Sequence, residues 1–526
     1  MTDTLTPYDK IIYPEGAYAV AHPDRMSVVA SLLGMKPPPV ATARILELGT
    51  GTGGHIIPIA YQYPDATCVG IDYARAQIEI GLETIAAVGL NNLTLHAMNF
   101  MDVDESLGQF DYIIAHGIFS WIPVPVQHQL LEIVHRHLTP NGVAYISYNA
   151  YPGWRMLDLA GDLMRFRTRG IEDPWERVAA ARAFIGEMAG LPEQIDVESS
   201  WKRFMATHHQ LLVSLKEYLL VKTDHVLLHD DMEETNQPFY FYQFCELLDQ
   251  HALTYLADST FPNNMLSNLT PAERELVEEH ASNFGEVEQY MDFVRNRTFR
   301  TSLIVHEAAE FTRALDPRKL APLYISTLMR ESETPPDGGT EGTVHFVAPD
   351  GKGFATKDSI STAAIRLLIE AEGGQVAFRE LVRSARARAY AYRVPLTTED
   401  EDASQIASML LACYGRSIYM IDLYATAPSY ALALSERPLA SKLARYQAIS
   451  SDTVTNQRQK RVNLGSSSRA LIGLLDGTND RAALLNAMKR MLVLPEDVPE
   501  AERNAKIEEE LDQLLRNLQS AALLVG

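Results

Sequence analysis

The sequence Glu47-Leu-Gly-Thr-Gly-Thr-Gly-Gly54 is the strongest indication of the fold of this chain. It follows an apolar run, Arg44–Leu48, and precedes a helix that we predict to begin near His55. Glycines in such a turn let the backbone bend sharply and approach a ligand without a Cβ clash, and the helix N-terminus adds free N–H donors. The order of strand, glycine-rich turn and helix therefore predicts a ligand-binding unit of a parallel sheet.

Short apolar runs alternate with helix-length segments on both sides of this turn. The predicted strands are Arg44–Leu48, Thr67–Ile71, Leu93–Ala97, Phe110–Ala115, Gly142–Ser147, Leu253–Ala257 and Phe299–Val305. Helices are predicted between them, for example at Arg75–Val88 and Pro125–His137. Because alternating strands and helices are typical of βαβ units, we expect an α/β fold with a seven-stranded sheet.

An acidic residue, Asp72, directly follows the second predicted strand, where a carboxylate can accept hydrogen bonds from both hydroxyls of a ribose. Dinucleotides and S-adenosylmethionine both bind in this geometry. The glycine spacing GxGxGG, with Glu47 two positions before the first glycine, favours S-adenosylmethionine. The predicted cofactor-binding residues of these two strand ends are Glu47, Gly49, Gly51, Gly53 and Asp72.

The next two strand ends complete the predicted cofactor site. Asn99 and Phe100 follow the third strand and would bracket an adenine, and His116-Gly117 follows the fourth, the position over the sulfonium in such folds. With these motifs, residues 35–150 resemble the class I methyltransferases, in which Asp is more frequent at the position of Asn99. The resemblance implies a Rossmann-like class I methyltransferase sheet.

Four further motifs are similar to those of the bacterial protein-lysine methyltransferases first associated with rickettsial outer-membrane protein. They are Tyr8-Asp9…Tyr13-Pro14…His22-Pro23-Asp24-Arg25, His116-Gly-Ile-Phe-Ser-Trp-Ile-Pro123, Ser147-Tyr-Asn-Ala-Tyr-Pro-Gly-Trp154 and Asn296-Arg-Thr-Phe-Arg-Thr301. The resemblance implies methyl transfer to lysine side chains of a protein, such as an outer-membrane or surface protein before export. It also implies a methyltransferase regulatory region, C-terminal accessory domains and a dimerisation segment inserted in the catalytic domain, and hence a homodimer.

The candidate catalytic residues follow from the chemistry of this reaction. Methyl transfer from a sulfonium is an in-line displacement that mainly requires alignment of a neutral nucleophile and exclusion of water. Aromatic side chains hold amines by cation–π attraction, and Trp121, Tyr148, Tyr151 and Trp154 follow two strand ends. Each of these aromatics would either line the site or pack beneath a loop.

Four other candidates complete the prediction. His116 would act as a general base or as a neighbour of the cofactor, and Asn149 would orient the amine. The family resemblance implies that Tyr13 and Tyr18 form an N-terminal lid. The predicted catalytic residues are Tyr13, His116, Trp121, Asn149 and Trp154.

Composition shifts divide the chain into predicted domains. We expect a catalytic domain over residues 1–310, interrupted by a helical, dimerising insertion at 151–235. The Pro-, Gly- and acid-rich segment Glu331–Gly342 is a predicted linker. Helical patterns beyond it predict two mainly α, winged-helix-like domains, over 311–455 and 456–526.

Charge and cysteine content narrow the class of protein. The 526 residues include 46 Lys plus Arg and 68 Asp plus Glu, a net charge of −22, which argues against nucleic acid and favours a basic polypeptide partner. Three scattered cysteines indicate neither disulfides nor a metal site. Without a signal-like N-terminus or a long apolar segment, we expect a cytoplasmic protein that does not enter a membrane.

Three functions are compatible with the fold and the predicted site. The first is an S-adenosylmethionine-dependent protein-lysine methyltransferase. The second is a methyltransferase of small molecules, for which the residues beyond the catalytic domain have no clear use. The third is a non-catalytic scaffold that retains the fold, which does not explain the set of Glu47, three glycines and Asp72.

Overall fold

The computed structural model describes residues 16–191, 200–333, 342–391, 397–491 and 499–525, the side chains of residues 200–205 excepted. Tyr13 and most of the predicted linker lie outside these ranges. The strands are β1 Arg44–Leu48, β2 Thr67–Asp72, β3 Leu93–Ala97, β4 Phe110–Ala115, β5 Leu138–Asn149, β6 Leu253–Asp258, β7 Phe299–His306, β8 Tyr324–Ser326, β9 Arg330–Ser332, β10 Val344–Val347, β11 Gly353–Thr356, β12 Val376–Ala377, β13 Asp422–Tyr424, β14 Thr453–Thr455 and β15 Arg461–Asn463.

The longer helices alternate with these strands. They are α1 Pro23–Leu32, α2 Ile56–Gln62, α3 Arg75–Val88, α4 Val124–His137, α5 Trp154–Arg167, α6 Pro174–Ala189, α7 Ser200–Leu220, α8 Phe241–Asp249, α9 Pro271–His280, α10 Phe284–Arg295, α11 Ser359–Glu370, α12 Phe378–Ala389, α13 Glu399–Arg416, α14 Lys442–Ser450, α15 Ser466–Ile472, α16 Arg481–Met491 and α17 Glu500–Ser520. Among the described residues, none of these helices is long and apolar enough to cross a membrane.

The central sheet has seven strands in the order β3-β2-β1-β4-β5-β7-β6. Strands β1 to β5 run parallel, and β7 is antiparallel to both β5 and β6. The predicted α/β fold class and its Rossmann-like sheet are confirmed. Because the chain order reverses between β1 and β4, the gap between their carboxyl ends is the switch point at which such sheets bind ligands.

Helices cover both faces of the sheet, which explains why its strands read as continuous apolar runs. On β1, Ile45 faces one apolar cluster, which includes residues of α1, α2 and α3, while Leu46 and Leu48 face another, which includes residues of α4 and α8. Burial on both faces fixes the register of β1 and hence the place of the glycine-rich turn that follows it.

The segment between β5 and β6 contains the predicted helical insertion. Helices α5, α6 and α7 share an apolar cluster that includes Ala160, Val178 and Leu215. The chain then forms a π-helical turn at Leu227–Asp231 before it returns to the sheet at α8. The insertion therefore has a core of its own beside the sheet.

The residues after β7 form two further helical units. The first contains α11 to α13 and the sheet β12-β8-β13, and its apolar core is continuous with the α1 face of the catalytic sheet. Arg25 of α1 also forms a buried ion pair with Asp422 of β13 at 2.9 Å. The second unit contains α14 to α17 and the hairpin β14–β15 around a separate apolar cluster that begins at Ala440. The predicted domain bounds stay predictions.

Two predicted elements differ from those observed. The helical pattern over Pro271–Arg295 predicts a single helix, and the structure divides it into α9 and α10, because the Asn283 side chain accepts a hydrogen bond from the Glu286 backbone N–H and starts a new helix. The apolar run Ser417–Tyr424 predicts a strand, but the observed strand is only Asp422–Tyr424, because the backbone N–H groups of Met420 and Ile421 donate to the Ser417 carbonyl oxygen and form a turn. Neither difference reaches the carboxyl edge of the parallel strands.

Candidate active site

A cavity of about 630 Å³ opens at the carboxyl edge of the sheet, at the switch point between β1 and β4. Its walls include seven of the predicted site residues: Glu47, Gly49, Gly51, Asp72, Phe100, His116 and Trp121. No group of three or more His, Cys, Asp or Glu side chains in the described ranges is arranged to hold a metal ion. The cavity is large enough for a small organic cofactor.

The glycine-rich turn forms one wall of this cavity. Gly49 has φ +73°, and a Cβ there would lie 2.5 Å from Cγ2 of Ile118, so only glycine fits. The backbone N–H groups of Gly49 and Thr50 donate to the Ile71 carbonyl oxygen at 2.8 and 3.1 Å. These bonds hold the turn against β2.

Two carboxylates fix the turn from either side. Asp72 Oδ2 accepts a hydrogen bond from the Gly51 backbone N–H, and Oδ1 accepts one from Ala74, both at 2.8 Å. Glu47 is buried and accepts a hydrogen bond from the Thr50 hydroxyl at 2.7 Å. The Asp72 carboxylate therefore lies beside the turn at the end of β2, in the wall of the cavity.

His116 lies at the end of β4 with its ring enclosed by polar and aromatic groups. Its Nδ1 is 2.9 Å from the Tyr145 hydroxyl and 3.4 Å from Ser147 Oγ, which accepts from the Gly117 N–H. Burial, and secondarily the proximity of His55, lowers the pKa of His116 to about 3. The imidazole is therefore neutral near pH 7 and a weak proton acceptor, which favours the cofactor-neighbour interpretation over the general base.

Tyr18 covers His116 from the N-terminal side. The two rings lie 4.0 Å apart between centroids, and the Tyr18 backbone N–H donates to His55 Nδ1 at 3.1 Å. Burial lowers the pKa of His55 to about 4, so this imidazole accepts in its neutral form. Tyr18 was expected in a lid, and the structure places it in the cavity wall; Tyr13, the other lid residue, lies outside the described residues.

Of the four predicted aromatic wall residues, the structure places one at the cavity. Trp121 lines it, and Trp154 is buried behind, with its ring edge-on to Trp121 at 6.0 Å. Tyr148 is buried against Phe244 at 4.1 Å. The Tyr151 ring packs under the Arg155 guanidinium at 3.7 Å. These three side chains pack rather than line the cavity.

Three other predicted site residues, Asn149, Asn99 and Gly53, also lie off the cavity wall. The Asn149 side chain donates to Asn236 Oδ1 at 2.9 Å, and its backbone N–H donates to Ser120 Oγ at 2.9 Å. Asn99 accepts from the Met101 N–H at 2.9 Å and so caps the turn that carries Phe100. Both asparagines therefore position cavity segments from behind.

The cavity wall also contains residues that the sequence analysis did not select. They are Gly16, Thr50, His55, Tyr73, Ala74, Gln77, Ile118, Ile122, Pro123 and Asp230. Most of them are neighbours of a predicted site residue along the chain. Asp230 is different, because it comes from the π-helical turn at the end of the insertion, and no motif marks it.

Three protein families match separate parts of the chain. A methyltransferase domain matches residues 45–142, a predicted methyltransferase regulatory domain matches 223–306, and a PKMT C-terminal winged helix domain matches 436–523. The uncharacterized protein RP028 of Rickettsia prowazekii (strain Madrid E) is 32% identical over 239 residues, 45% of this chain and 92% of that protein. The chain therefore belongs to the methyltransferases that have this regulatory domain and the PKMT winged helix domain. The winged-helix prediction for the C-terminal unit is thereby confirmed.

Two relatives are similar over nearly the whole chain. The uncharacterized protein RP789 of Rickettsia prowazekii is 29% identical over 537 residues, 99% of this chain and 94% of that protein. The structure of PKMT2 from Rickettsia typhi, also solved in complex with AdoHcy, matches with a TM-score of 0.82 at 24% identity. That match covers 98% of this chain and 100% of PKMT2, and it shows that the fold is shared along the full length.

The cavity fits the cofactor of this family, S-adenosylmethionine, as the glycine spacing predicted. The methyltransferase-domain match begins at residue 45 and includes the glycine-rich turn, Asp72 and Phe100. The Gly49 position leaves no room for a side chain, and Asp72 lies in the wall at the end of β2, where a carboxylate is suited to ribose hydroxyls. The chain is an S-adenosylmethionine-dependent methyltransferase, and the cofactor supplies a methyl group activated by its sulfonium.

Proposed function

We propose that this methyltransferase modifies lysine side chains of a protein substrate. The observation that carries the proposal is an open cavity that is lined by the cofactor-binding residues and also by the aromatic residues Tyr18, Tyr73 and Trp121. Aromatic walls bind amines and methylammonium groups by cation–π attraction while they exclude water. The match to a domain named for PKMT at residues 436–523 supports a polypeptide acceptor over a small molecule.

The charge states at the cavity agree with this chemistry. A lysine amine has an ordinary pKa of ~10.4 and must lose its proton before it attacks. A nearby sulfonium favours that loss, so no strong base is required. The pKa of His116 is lowered to about 3, so its imidazole is a weak base. This is consistent with a site that positions the amine and does not use the imidazole to remove its proton.

The proposed roles of the site residues follow their positions. Glu47, Gly49, Gly51, Asp72 and Phe100 would contact the cofactor, with His116 beside the reacting methyl group and Trp121 beside the amine. Gly53, Asn99, Asn149 and Trp154 would position those residues from behind the wall. Tyr13 remains a proposed catalytic lid residue.

The substrate and location are proposed from the charge of the chain. A net charge of −22 favours a basic or lysine-rich polypeptide and disfavours nucleic acid. An outer-membrane or surface protein, modified in the cytoplasm before export, would fit such a partner. The C-terminal units would then present the polypeptide to the cavity.

Methyl transfer to protein lysine is the first expected result. Purified protein incubated with isotopically labelled S-adenosylmethionine and a cell lysate should place the label on lysine side chains, located by mass spectrometry of digested proteins. The matched control is the Gly49→Val variant, in which the new side chain collides with Ile118 and blocks the cofactor wall. Label confined to small molecules would favour the alternative of a biosynthetic methyltransferase and contradict the lysine proposal.

The insertion supports the proposed homodimer through its exposed apolar side chains. The exposed ones are Met156, Phe166, Trp175, Leu191, Tyr218, Leu220 and Val221. Val221 is 84% exposed, which is unusual for an apolar residue at a helix end. Groups of exposed apolar side chains mark interfaces, and a second copy of this chain would bury both sets at once.

A charge placed on this surface should separate the proposed dimer. We expect Leu220→Asp combined with Val221→Asp to convert the wild-type dimer to a monomer in size-exclusion chromatography with light scattering, because two buried carboxylates would be unpaired. The matched control is Ile449→Asp, at an exposed apolar residue on α14. A wild-type monomer, or a variant that remains dimeric, would contradict the proposal.

A further inference from the structure

One acidic residue of the cavity belongs to neither the glycine-rich turn nor the strand ends. The carboxylates in the wall are Glu47, Asp72 and Asp230. Glu47 and Asp72 accept hydrogen bonds from the glycine-rich turn, which forms the cofactor wall. Asp230 enters from the insertion, on the π-helical turn Leu227–Asp231. π-helical turns occur frequently at functional sites.

The turn that carries Asp230 is held firmly from below. Its neighbours His229 and Asp231 are buried, and Lys222 Nζ lies 2.7 Å from Asp231 Oδ2. Arg165 donates to the Asp231 and Glu233 carbonyl oxygens at 3.4 and 3.0 Å. With the residue on each side anchored in the insertion, Asp230 is held in the cavity wall.

The chain that follows this turn is bonded to the loop of Trp121. The Gln237 N–H donates to the Ser120 carbonyl oxygen at 2.8 Å, and Asn236 accepts from the Asn149 side chain at 2.9 Å. Asp230 and Trp121 are thus brought to the same cavity by two segments that are bonded to each other. A carboxylate and an aromatic face together are the groups that bind an alkylammonium.

We infer that Asp230 binds the ε-amino group of the acceptor lysine, and this inference rests on the proposed function. A lysine side chain arrives protonated and loses part of its hydration on entering a cavity that also holds a cationic sulfonium. Asp230 offsets that cost by a charge-assisted hydrogen bond, and it continues to accept from the amine after the proton has left to solvent. Acceptors without an N–H would lack this bond.

The test uses the variant Asp230→Asn, which keeps the size of the side chain and removes its charge. The probe is a peptide copied from an acceptor site mapped by mass spectrometry, together with a copy that has norleucine in place of the lysine. Binding of both peptides is measured by calorimetry on protein saturated with S-adenosylhomocysteine. We expect the wild-type protein to prefer the lysine peptide and the variant to lose about 10- to 100-fold of that preference.

Two controls separate a binding role from a structural one. Glu234→Gln removes the same charge from an exposed residue near the turn and should leave the preference unchanged. The affinity of Asp230→Asn for S-adenosylhomocysteine should remain within about twofold of wild type, since the cofactor wall is intact. Weakened cofactor binding or an unfolded variant would assign Asp230 a structural role and overturn the inference.

The outcomes also distinguish this inference from the proposed function. If the wild-type protein methylates no lysine, the proposed function fails before Asp230 is tested. If lysine is methylated and Asp230→Asn keeps the preference for lysine over norleucine, the proposed function stands and the inference is wrong. The KM for the lysine peptide should rise with the Kd in the variant, while kcat changes less.

Discussion

Asp72→Ala is expected to weaken binding of S-adenosylmethionine by more than a single lost hydrogen bond. The carboxylate accepts from the Gly51 and Ala74 N–H groups at 2.8 Å each and lines the cavity. Removal of a charge-assisted hydrogen bond to a ribose costs about 1.5–3 kcal/mol, or about 10- to 100-fold in Kd. Loss of the two backbone bonds also loosens the turn, so we expect a loss of affinity at or above the upper end of that range.

Calorimetric titration with S-adenosylmethionine measures this effect directly. Asp65→Ala is the matched control, because Asp65 is exposed in the turn before β2 and should bind the cofactor as wild type does. Asp72→Asn should lie between wild type and Asp72→Ala, since its amide oxygen can still accept from one of the backbone N–H groups. Unchanged affinity in Asp72→Ala would remove this residue from the cofactor site.

The cofactor wall could be predicted from the sequence because its signals are local. A strand, a glycine-rich turn and an acid at the next strand end lie within residues 44–72, so the order along the chain specifies their spatial relation. Asp72 and the glycines follow strands whose burial fixes their register. The order of β1 and β4 in the sheet then creates the cavity.

The acceptor wall could not be predicted in the same way. Asp230 reaches the cavity through the packing of an insertion around its own core, which no local pattern encodes. Tyr148 and Asn149 occupy the expected strand end, and Trp154 begins α5 shortly after it, yet all three lie behind the wall. On a strand, alternate residues point to opposite faces, and the sequence alone leaves open which of them reaches the ligand.

The contacts that attach the unit after β7 to the catalytic domain could not be predicted from the sequence either. The Asp24 carboxylate accepts from the Ala425 and Thr426 N–H groups at 2.9 Å each, and Arg25 pairs with Asp422. About 400 residues of chain separate these partners. The motif around Asp24-Arg25 was noticed only by family resemblance, and the structure gives it a role in joining two units.

Arg300→Met is expected to cause a large loss of stability. The Arg300 guanidinium donates to Asp292 at 2.8 and 2.9 Å and to Glu288 at 3.0 Å, and all three side chains are fully buried. Removing one partner of a buried ion pair leaves uncompensated charge and costs about 3–5 kcal/mol. A lowered midpoint of thermal and urea unfolding would measure this loss.

The pH dependence of the Arg300→Met variant tests the cause of that loss. Burial raises the pKa of Glu288, and Arg300 opposes the rise. Without Arg300, the pKa of Glu288 in the folded state should rise further above its value in the unfolded chain. The free energy of unfolding of the variant should then fall as the pH rises and Glu288 loses its proton, and it should increase again as the pH falls and Glu288 is protonated. We therefore expect a smaller difference from wild type at pH 5 than at pH 8. The control is Arg318→Met, which removes an exposed ion pair with Asp316 and should show no change in midpoint at either pH. A loss of stability in Arg300→Met that does not depend on pH would indicate lost packing against Phe241 instead of unpaired charge.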